Sequence, residues 1–138
     1  GTCRCIDVLE DDAELRGVIL SSAEPEASAT FLESLGFRRD AEGEGINLSY
    51  PPSIVGMGLA VHIVAGPPLV ERAYVDDLGL SLIAMLTTDL EAVVGVMTAA
   101  GHCTTDIFDY QINARSISNA VVHGPGGELI ELLQIGRA

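Results

Sequence analysis

Residues 28–37 read SATFLESLGF, and this stretch carries the clearest structural signal in the chain. It follows the triplet Glu-Pro-Glu at residues 24–26, where proline suits the first turn of a helix and acidic side chains complement the helix dipole. Phe31 and Leu35 recur at helical spacing, and Gly36 is a typical stop signal. The segment therefore predicts an amphipathic helix that ends at Gly36 and passes directly into a strand.

Apolar, β-branched segments flank this helix on both sides. Leu15–Ser22 precedes it and has the composition of a strand. Three further strands are predicted after it, over Phe37–Asp40, Ile46–Tyr50 and Met57–Ala65, with glycine and proline clusters between them. The first half of the chain therefore reads as a β-α-β-β-β unit.

The second half repeats the same order of elements. Asp89 is a strong N-cap candidate for a helix that ends near Ala100, and Gly101 occupies the position of a terminating glycine. Residues 124–127, Gly-Pro-Gly-Gly, form a tight turn, and the polar residues Asp106–Ala114 are predicted to form a loop. Strands are predicted over Leu80–Thr87, His102–Asp106, Ser116–His123 and Glu128–Gln134.

This duplication predicts an α+β fold of two βαβββ modules whose strands form a curved mixed sheet. The modules are placed at residues 15–65 and 79–138, with a linker at residues 66–78, all within one structural domain. Residues 1–14 form an N-terminal arm that includes a short strand at Cys3–Leu9. A single ferredoxin-like sandwich with extra strands is the alternative, and the two equivalent glycine-terminated helices favour the duplication.

The chain has 138 residues and a formal net charge of −13, and all seven basic residues are arginine. The absence of lysine excludes Schiff-base chemistry on lysine and lysine-bearing phosphate loops. The acidic balance argues against nucleic acid, whose phosphates need a basic surface, and favours a neutral or cationic small molecule as partner.

The apolar stretches and the cysteines indicate where in the cell the protein is expected. No apolar run reaches the roughly 18 residues that a membrane-spanning helix needs, so no membrane association is predicted. No basic flank precedes an apolar core at the N-terminus, so no signal peptide is expected and the cytoplasm is the predicted location. Cys3, Cys5 and Cys103 are too few and too unevenly spaced for a disulfide framework, which makes incidental thiols the better interpretation.

Three segments resemble one known superfamily. Residues 28–37 are similar to the S-x-x-F-Y-x-x-L-G-F segment of glyoxalase and bleomycin-resistance proteins. Residues 124–132, GPGGELIEL, resemble their D-P-D-G-N-x-I-E-L closing turn and strand, and residues 89–101 resemble the helix of their second module. Together these segments identify the chain as similar to the vicinal oxygen chelate superfamily, which includes glyoxalase I, bleomycin-resistance proteins and extradiol dioxygenases.

The resemblance implies an open cup with a divalent metal ion at its floor. The ligands of that metal come from the first and last strands of each module, and the corresponding positions here are Gly17, His62, Leu82 and Glu131. Only His62 and Glu131 carry donor atoms, whereas catalytic metal sites normally have three protein ligands. The metal site is therefore predicted to be degenerate.

A third ligand from another position would restore the metal site. His123 and Asp109 are the candidates for that role. Without such a ligand, no tightly bound cofactor is expected, and a divalent metal ion is the alternative.

Strand alternation gives a local argument for the remaining pair. Val61 and Ile63 should pack under the helices, which turns His62 into the cup, and the same reasoning turns Glu131 inward. A carboxylate on an apolar surface needs a partner, so the two side chains are predicted to pair. The pair would act as an acid/base dyad, hold a polar group of a ligand, or shape the pocket only.

Further ligand contacts are expected around this pair. Some candidates lie on the first strand of a module, and the others lie in or next to the predicted loop at Asp106–Ala114. They are Gly17, Ile19, Leu82, Ala84, Phe108, Tyr110, Gln111 and Arg115. Phe108 is an equally good candidate for the core, and Arg115 for a surface ion pair. His102, next to the glycine that ends the second helix, is interpreted as a partner of the helix terminus.

These observations support three hypotheses. The first is a metal-independent protein that binds a small molecule in a homodimeric cup, as the resemblance to the bleomycin-resistance branch implies. The second is a metal-dependent lyase, epimerase or dioxygenase with an atypical ligand set. The third is a metal-free lyase or isomerase that uses His62 and Glu131 alone.

Overall fold

The computed structural model divides the chain into two compact units. The first unit comprises residues 1–81 together with residues 125–128, and the second comprises residues 82–124 and 129–138. The structure describes residues 6–11, 14–52, 58–67 and 82–136. Cys3, Cys5 and most of the proposed linker therefore lie outside the described residues.

The first unit contains a five-stranded mixed sheet with one helix. Its elements are β1 (Ile6–Asp11), β2 (Glu14–Ser22), α1 (Pro25–Ser34), β3 (Arg38–Arg39), β4 (Ile46–Tyr50) and β5 (Leu59–Ala65). The strand order is β1-β2-β5-β4-β3, and β2 and β5 are parallel while the other pairs are antiparallel. This is the predicted β-α-β-β-β unit, with β1 added at the edge.

The second unit repeats this arrangement. Its elements are β6 (Ile83–Leu86), α2 (Leu90–Ala99), β7 (Cys103–Thr104), β8 (Phe108–Ile112), β9 (Arg115–His123) and β10 (Leu129–Ile135). The strand order is β6-β10-β9-β7, with β8 also paired to β9, and β6 is parallel to β10. The order β2-β5-β4-β3 of the first unit and the order β6-β10-β9-β7 of the second are therefore equivalent, and the predicted duplication is confirmed.

Both helices end in the same hydrogen-bonded motif. Gly36 and Gly101 have positive φ angles of 99° and 89°. The N–H of the residue after each glycine bonds back to the third-last helical carbonyl, from Phe37 to Leu32 at 3.1 Å and from His102 to Met97 at 3.0 Å. This pattern satisfies carbonyl groups that the helix leaves open, and it is the one that a C-terminal glycine predicts.

Each unit buries one face of its sheet against its helix. The apolar core of the first unit includes Val18, Leu20, Phe31, Leu32, Leu48, Val61 and Ile63. The apolar core of the second unit includes Ile83, Leu90, Met97, Ala120, Val122, Ile130 and Leu132. These strand residues alternate with half-buried or exposed ones, so the opposite sheet faces are more open. No helix in the described ranges has the length and hydropathy required to cross a membrane.

One prediction about the second half is wrong. The segment 106–114 is not a loop throughout, because Phe108–Ile112 forms β8 and pairs with the beginning of β9. The two strands are joined at Asn113 and Ala114, whose φ angles of 49° and 65° place both residues in the left-handed region. Two successive positive φ values are typical of a tight hairpin turn.

The Pro125–Glu128 turn groups with the first unit although it connects two strands of the second. Gly126 contacts the polar side chains of Ser22 and Ser28 so closely that an added Cβ would overlap the hydroxyl of Ser22 and lie 2.6 Å from that of Ser28. A larger residue at position 126 would therefore displace these side chains.

Candidate functional site

His62 lies at the centre of the open face of the first sheet. Its neighbours on β5, Val61 and Ile63, are 1% and 3% exposed, while His62 itself is half-buried. This confirms the alternation predicted from the sequence. Asn47 is the residue directly opposite His62 on β4.

Asn47 fixes the orientation and the tautomer of His62. The Nδ2 of Asn47 donates to the carbonyl oxygen of Glu44 at 3.1 Å, which leaves its Oδ1 directed at the Nδ1 of His62, 2.6 Å away. An amide oxygen only accepts, so Nδ1 carries the proton and Nε2 of the neutral ring is an acceptor. Gly45 makes room for the ring, since a Cβ there would lie 3.1 Å from the Cε1 of His62.

Glu131 has a comparable arrangement on the open face of the second sheet. Its neighbours on β10, Ile130 and Leu132, are 0% and 2% exposed and pack on the helix side. The Nδ2 of Asn119 on β9 donates to the Oε1 of Glu131 at 3.1 Å. Glu131 is half-buried. Its second carboxylate oxygen, Oε2, makes no hydrogen bond with the described residues.

The first-strand positions next to these two side chains are apolar. In the parallel pairs of each sheet, Ile19 is the register partner of His62 and Ala84 is the register partner of Glu131. Gly17 lies opposite Ala60, and a Cβ at position 17 would overlap the carbonyl oxygen of Ala60. Position 17 thus has no room for a ligand side chain without a shift of the backbone, and the half-buried Leu82 precedes β6.

The residues present do not fit a metal centre of the superfamily type. Within the described ranges, no cluster of three or more His, Cys, Asp or Glu side chains is placed to hold a metal ion. Each open face offers one strong donor of the predicted set, the Nε2 of His62 or the Oε2 of Glu131. Neither the predicted first-strand positions Gly17 and Leu82 nor the register partners Ile19 and Ala84 offer a donor. A catalytic metal ion is normally held by three protein ligands, and one donor of the predicted set on each face falls short of that number.

The remaining ligand candidates lie on the β8–β9 hairpin. Phe108 and Tyr110 are 61% and 39% exposed, so the interpretation of Phe108 as a core residue is wrong. Both point to the same side of the sheet as Asn119, with which Phe108 is in register. Gln111 and Arg115 are also exposed and lie close to the turn.

His123 and Asp109, the two candidates for a third metal ligand, lie on different strands: His123 on β9 and Asp109 on β8. His123 is two residues beyond Val121, the register partner of Glu131, and so lies on the same sheet face as Glu131. Asp109 accepts a hydrogen bond from the Ser118 hydroxyl at 2.5 Å. Because Asp109 and Ser118 alternate with the residues on the Glu131 side, they lie on the other face.

A hollow of about 340 Å³ lies on that other face, at the start of α2. Its lining includes the carboxylates of Asp89 and Asp109 and the amide of Gln134. These groups already have partners, since Asp89 accepts from the N–H of Ala92 at 3.1 Å and Gln134 accepts from the N–H of Leu90 at 2.7 Å. Asp89 therefore caps the N-terminus of α2, and Gln134 ties that end of the helix to β10.

Sequence analysis did not identify the two asparagines that hold His62 and Glu131. Asn47 and Asn119 occur in strand segments with no motif around them, and their roles follow from cross-strand register, which a single sequence does not provide. The alternation of β4 gives a weak signal for Asn47, because it lies between the apolar Ile46 and Leu48.

The chain is similar in fold to solved structures, whereas no protein-family profile and no curated protein sequence matches it. A glyoxalase family protein from Enterococcus faecalis superposes with a TM-score of 0.57 at 21% identity, covering 88% of this chain and 98% of the other. The fosfomycin resistance protein FosX from Listeria monocytogenes, solved as a variant with Mn(II) and dihydroxypropylphosphonic acid, gives 0.61 at 14% identity, covering 88% and 90%. An integron cassette protein from Vibrio cholerae gives 0.58 at 20% identity, covering 91% and 98%.

These comparisons define the class of fold. The chain has the α+β fold of paired βαβββ modules that characterises glyoxalase and bleomycin-resistance proteins, the fold of the vicinal oxygen chelate superfamily. The resemblance found in residues 28–37 and 124–132 is thereby confirmed at the level of the fold. At 14–21% identity in these three pairs the likeness defines the fold alone.

Proposed function

We propose that this protein binds a small organic molecule on the open face of its second sheet, with Glu131 as the principal polar contact and with no tightly held metal. The observation that carries the proposal is the Glu131 carboxylate, whose Oε1 is held by Asn119 while Oε2 stays available beside the apolar side chains of Ala84 and Val121. A half-buried carboxylate in such surroundings favours a ligand that donates hydrogen bonds or carries positive charge.

Charge and surface composition support the same class of ligand. The net charge of −13 attracts cations and disfavours polyanions. Aromatic and aliphatic side chains on the same side as Glu131, among them Phe108 and Tyr110, offer an apolar contact for the body of the molecule. His62, with an accepting Nε2 in the first unit, would provide a second polar contact if both faces meet one ligand, as the sequence predicts.

The alternative is a metal-dependent lyase, epimerase or dioxygenase. The complex of FosX with Mn(II) motivates it, since a protein of this fold uses a divalent ion. Its requirement here is a third donor besides His62 and Glu131, and His123, on the same sheet face as Glu131, is a candidate. A metal-free lyase or isomerase would instead use the accepting Nε2 of His62 as general base.

A fluorine-detected NMR screen tests the proposed binding. The library contains organic cations, neutral hydrogen-bond donors and organic anions, and cations and donors are expected to predominate among the binders. Glu131→Gln is expected to weaken cation binding by about tenfold or more, since loss of one charge-assisted contact costs roughly 1.5–3 kcal/mol.

Glu91→Gln is the matched control, because Glu91 is an exposed residue of α2 and its replacement changes the net charge equally. It should leave binding unchanged. Equal binding by the Glu131→Gln variant, a preference for anions, or no binder at millimolar concentration would each contradict the proposal.

We further propose that the protein is a homodimer in which β8 of one copy pairs with β8 of the other. In the described part of the chain β8 has one neighbouring strand, β9, and all five of its residues are exposed. Such an edge favours pairing with another strand. Antiparallel pairing centred on Tyr110 would place Phe108 opposite Ile112 and Asp109 opposite Gln111, so apolar groups meet each other and no carboxylate meets its copy.

We also propose the cytoplasm as the location. The thiol of Cys103 is free and exposed, which suits a reducing compartment.

A further inference from the structure

Glu128 is a fully buried acid outside the site described above. Its exposed fraction is 0%, and so are those of Ser22 and Ser28, the other buried polar residues beside it in the first unit. Neither carboxyl oxygen of Glu128 has a hydrogen-bond partner with acceptable geometry. A buried carboxyl without a partner is costly to retain, so its protonation state requires a physical account.

The carboxyl belongs to a compact cluster of oxygen atoms around Gly126. The hydroxyls of Ser22 and Ser28 are 2.8 Å apart, and Ser22 also accepts from the N–H of Glu24 at 3.0 Å. A Cβ added to Gly126 would lie 2.7 Å from Oε2 of Glu128 and 2.6 Å from Oγ of Ser28. The Pro125–Glu128 turn thus packs its one acidic group against β2 and the beginning of α1.

None of the described side chains that pack beside the carboxyl is a cation. The described side chains of β2 are uncharged, and the titratable groups at the start of α1 are the exposed acids Glu24 and Glu26. Burial raises the pKa of the Glu128 carboxyl above its ordinary value of 4.5. The nearby N–H groups of Glu128 and Gly126 and the nearby hydroxyl of Ser28 do not reach hydrogen-bonding geometry, and they offset only part of that rise in pKa.

We propose that Glu128 is a neutral, protonated acid packed beside the Ser22–Ser28 hydroxyl pair, and that loss of its proton releases the Pro125–Glu128 turn from the start of α1. The geometry supports the neutral form, because the carboxyl is fully buried and neither of its oxygens has a hydrogen-bond partner that would stabilise a negative charge. The turn would then act as a proton-linked latch.

The sign of the pH dependence follows from the raised pKa. Below the ordinary value of 4.5 the carboxyl is neutral in both the folded and unfolded chain, and it costs the fold nothing through ionisation. Above that value the unfolded chain loses its proton first, so the free energy of unfolding decreases as the pH rises towards the folded pKa. The decrease stops once the folded protein ionises as well.

Denaturant unfolding of the full chain from about pH 5 to about pH 9 tests this. Glu128→Gln imitates the neutral acid. In this variant, the part of the pH dependence of the free energy of unfolding that comes from Glu128 should disappear. Relative to this variant, the unfolding equilibrium constant of the wild type should rise with pH by up to about tenfold per unit, the limit for one proton. Glu42→Gln is the matched control, because Glu42 is exposed and the substitution exchanges the same carboxyl for the same amide, and it should keep the wild-type profile.

A second measurement does not depend on global stability. In carbon-13 NMR of glutamate-labelled protein, the signal lost in the Glu128→Gln variant should titrate at higher pH than the other glutamate carboxyls. Hydrogen exchange at Ala27 and Ser28, corrected for its intrinsic pH dependence, should accelerate over the same range. A Glu128 signal that titrates with the exposed carboxyls, or parallel profiles for both glutamine variants, would overturn the proposal.

Discussion

Replacement of Phe31 by alanine is expected to lower the free energy of unfolding by about 3–5 kcal/mol, the usual cost of deleting a fully buried aromatic side chain. Phe31 is 1% exposed on the face of α1 that packs against the first sheet. Since domains of this size are stable by roughly 5–15 kcal/mol, the variant should lose a large share of its stability. Chemical denaturation followed by circular dichroism measures the loss.

Thr30→Ala is the control for this substitution. Thr30 precedes Phe31 on the same helix but is exposed, and alanine is a good helix former, so the free energy of unfolding should change little. A similar small change in the Phe31→Ala variant would mean that α1 does not cover the sheet as described. Denaturation in two steps, with only one of them shifted by Phe31→Ala, would show that the two units unfold separately.

Replacement of Gln111 by proline is expected to raise the dissociation constant of the proposed homodimer by roughly 10- to 100-fold. Residues that flank a two-residue turn form a hydrogen-bonded pair, so the backbone of Phe108, Tyr110 and Ile112 bonds to β9 and that of Asp109 and Gln111 points outward. Proline at 111 removes an outward N–H from each copy and leaves the bonds to β9 in place. Sedimentation equilibrium measures the dissociation constant.

The matched variant is Gln111→Val, which changes the side chain and keeps the N–H. It should dimerise at least as well as the wild type, because valine is favoured in strands. A wild-type protein that remains monomeric at micromolar concentration would contradict the dimer. If Gln111→Pro dimerises as tightly as Gln111→Val, then the copies associate through a surface other than β8.

The helices were predictable because their signals are local. Asp89 caps α2 as predicted, accepting from the N–H of Ala92, and the terminating glycines at 36 and 101 have the positive φ angles that their positions require. The alternation around His62 and Glu131 was predictable for the same reason, since it depends only on the two-residue period of a strand.

The hairpin of β8 and β9 was not predictable from its residues. Its turn places Asn113 and Ala114 at positive φ, and an alanine there gives no sequence signal because this conformation normally selects glycine or asparagine. The burial of Glu128 was equally hidden, because a glutamate in a glycine-rich turn is expected to face solvent. Its place beside Ser22 and Ser28 depends on tertiary packing of distant segments.

The partners of the candidate site residues depend on register. His62 meets Asn47 because β4 and β5 pair with these two residues opposite each other, and Glu131 meets Asn119 across β9 and β10. The joint cavity of His62 and Glu131 stays a prediction, as these residues belong to different units. What the structure adds is the partner of each side chain: Nδ1 of His62 lies 2.6 Å from Oδ1 of Asn47, and Oε1 of Glu131 accepts from Nδ2 of Asn119 at 3.1 Å.

The chain has the glyoxalase and bleomycin-resistance fold, and we propose that it lacks the metal chemistry of the metal-dependent proteins of that fold. Elemental analysis of protein purified without chelators, then dialysed against zinc, manganese, iron or nickel salts, tests it most directly. We expect metal well below one equivalent per chain, unchanged by His62→Ala or Glu131→Ala. Near-stoichiometric metal that is lost in both variants would contradict the claim and establish a metal centre that uses these two residues.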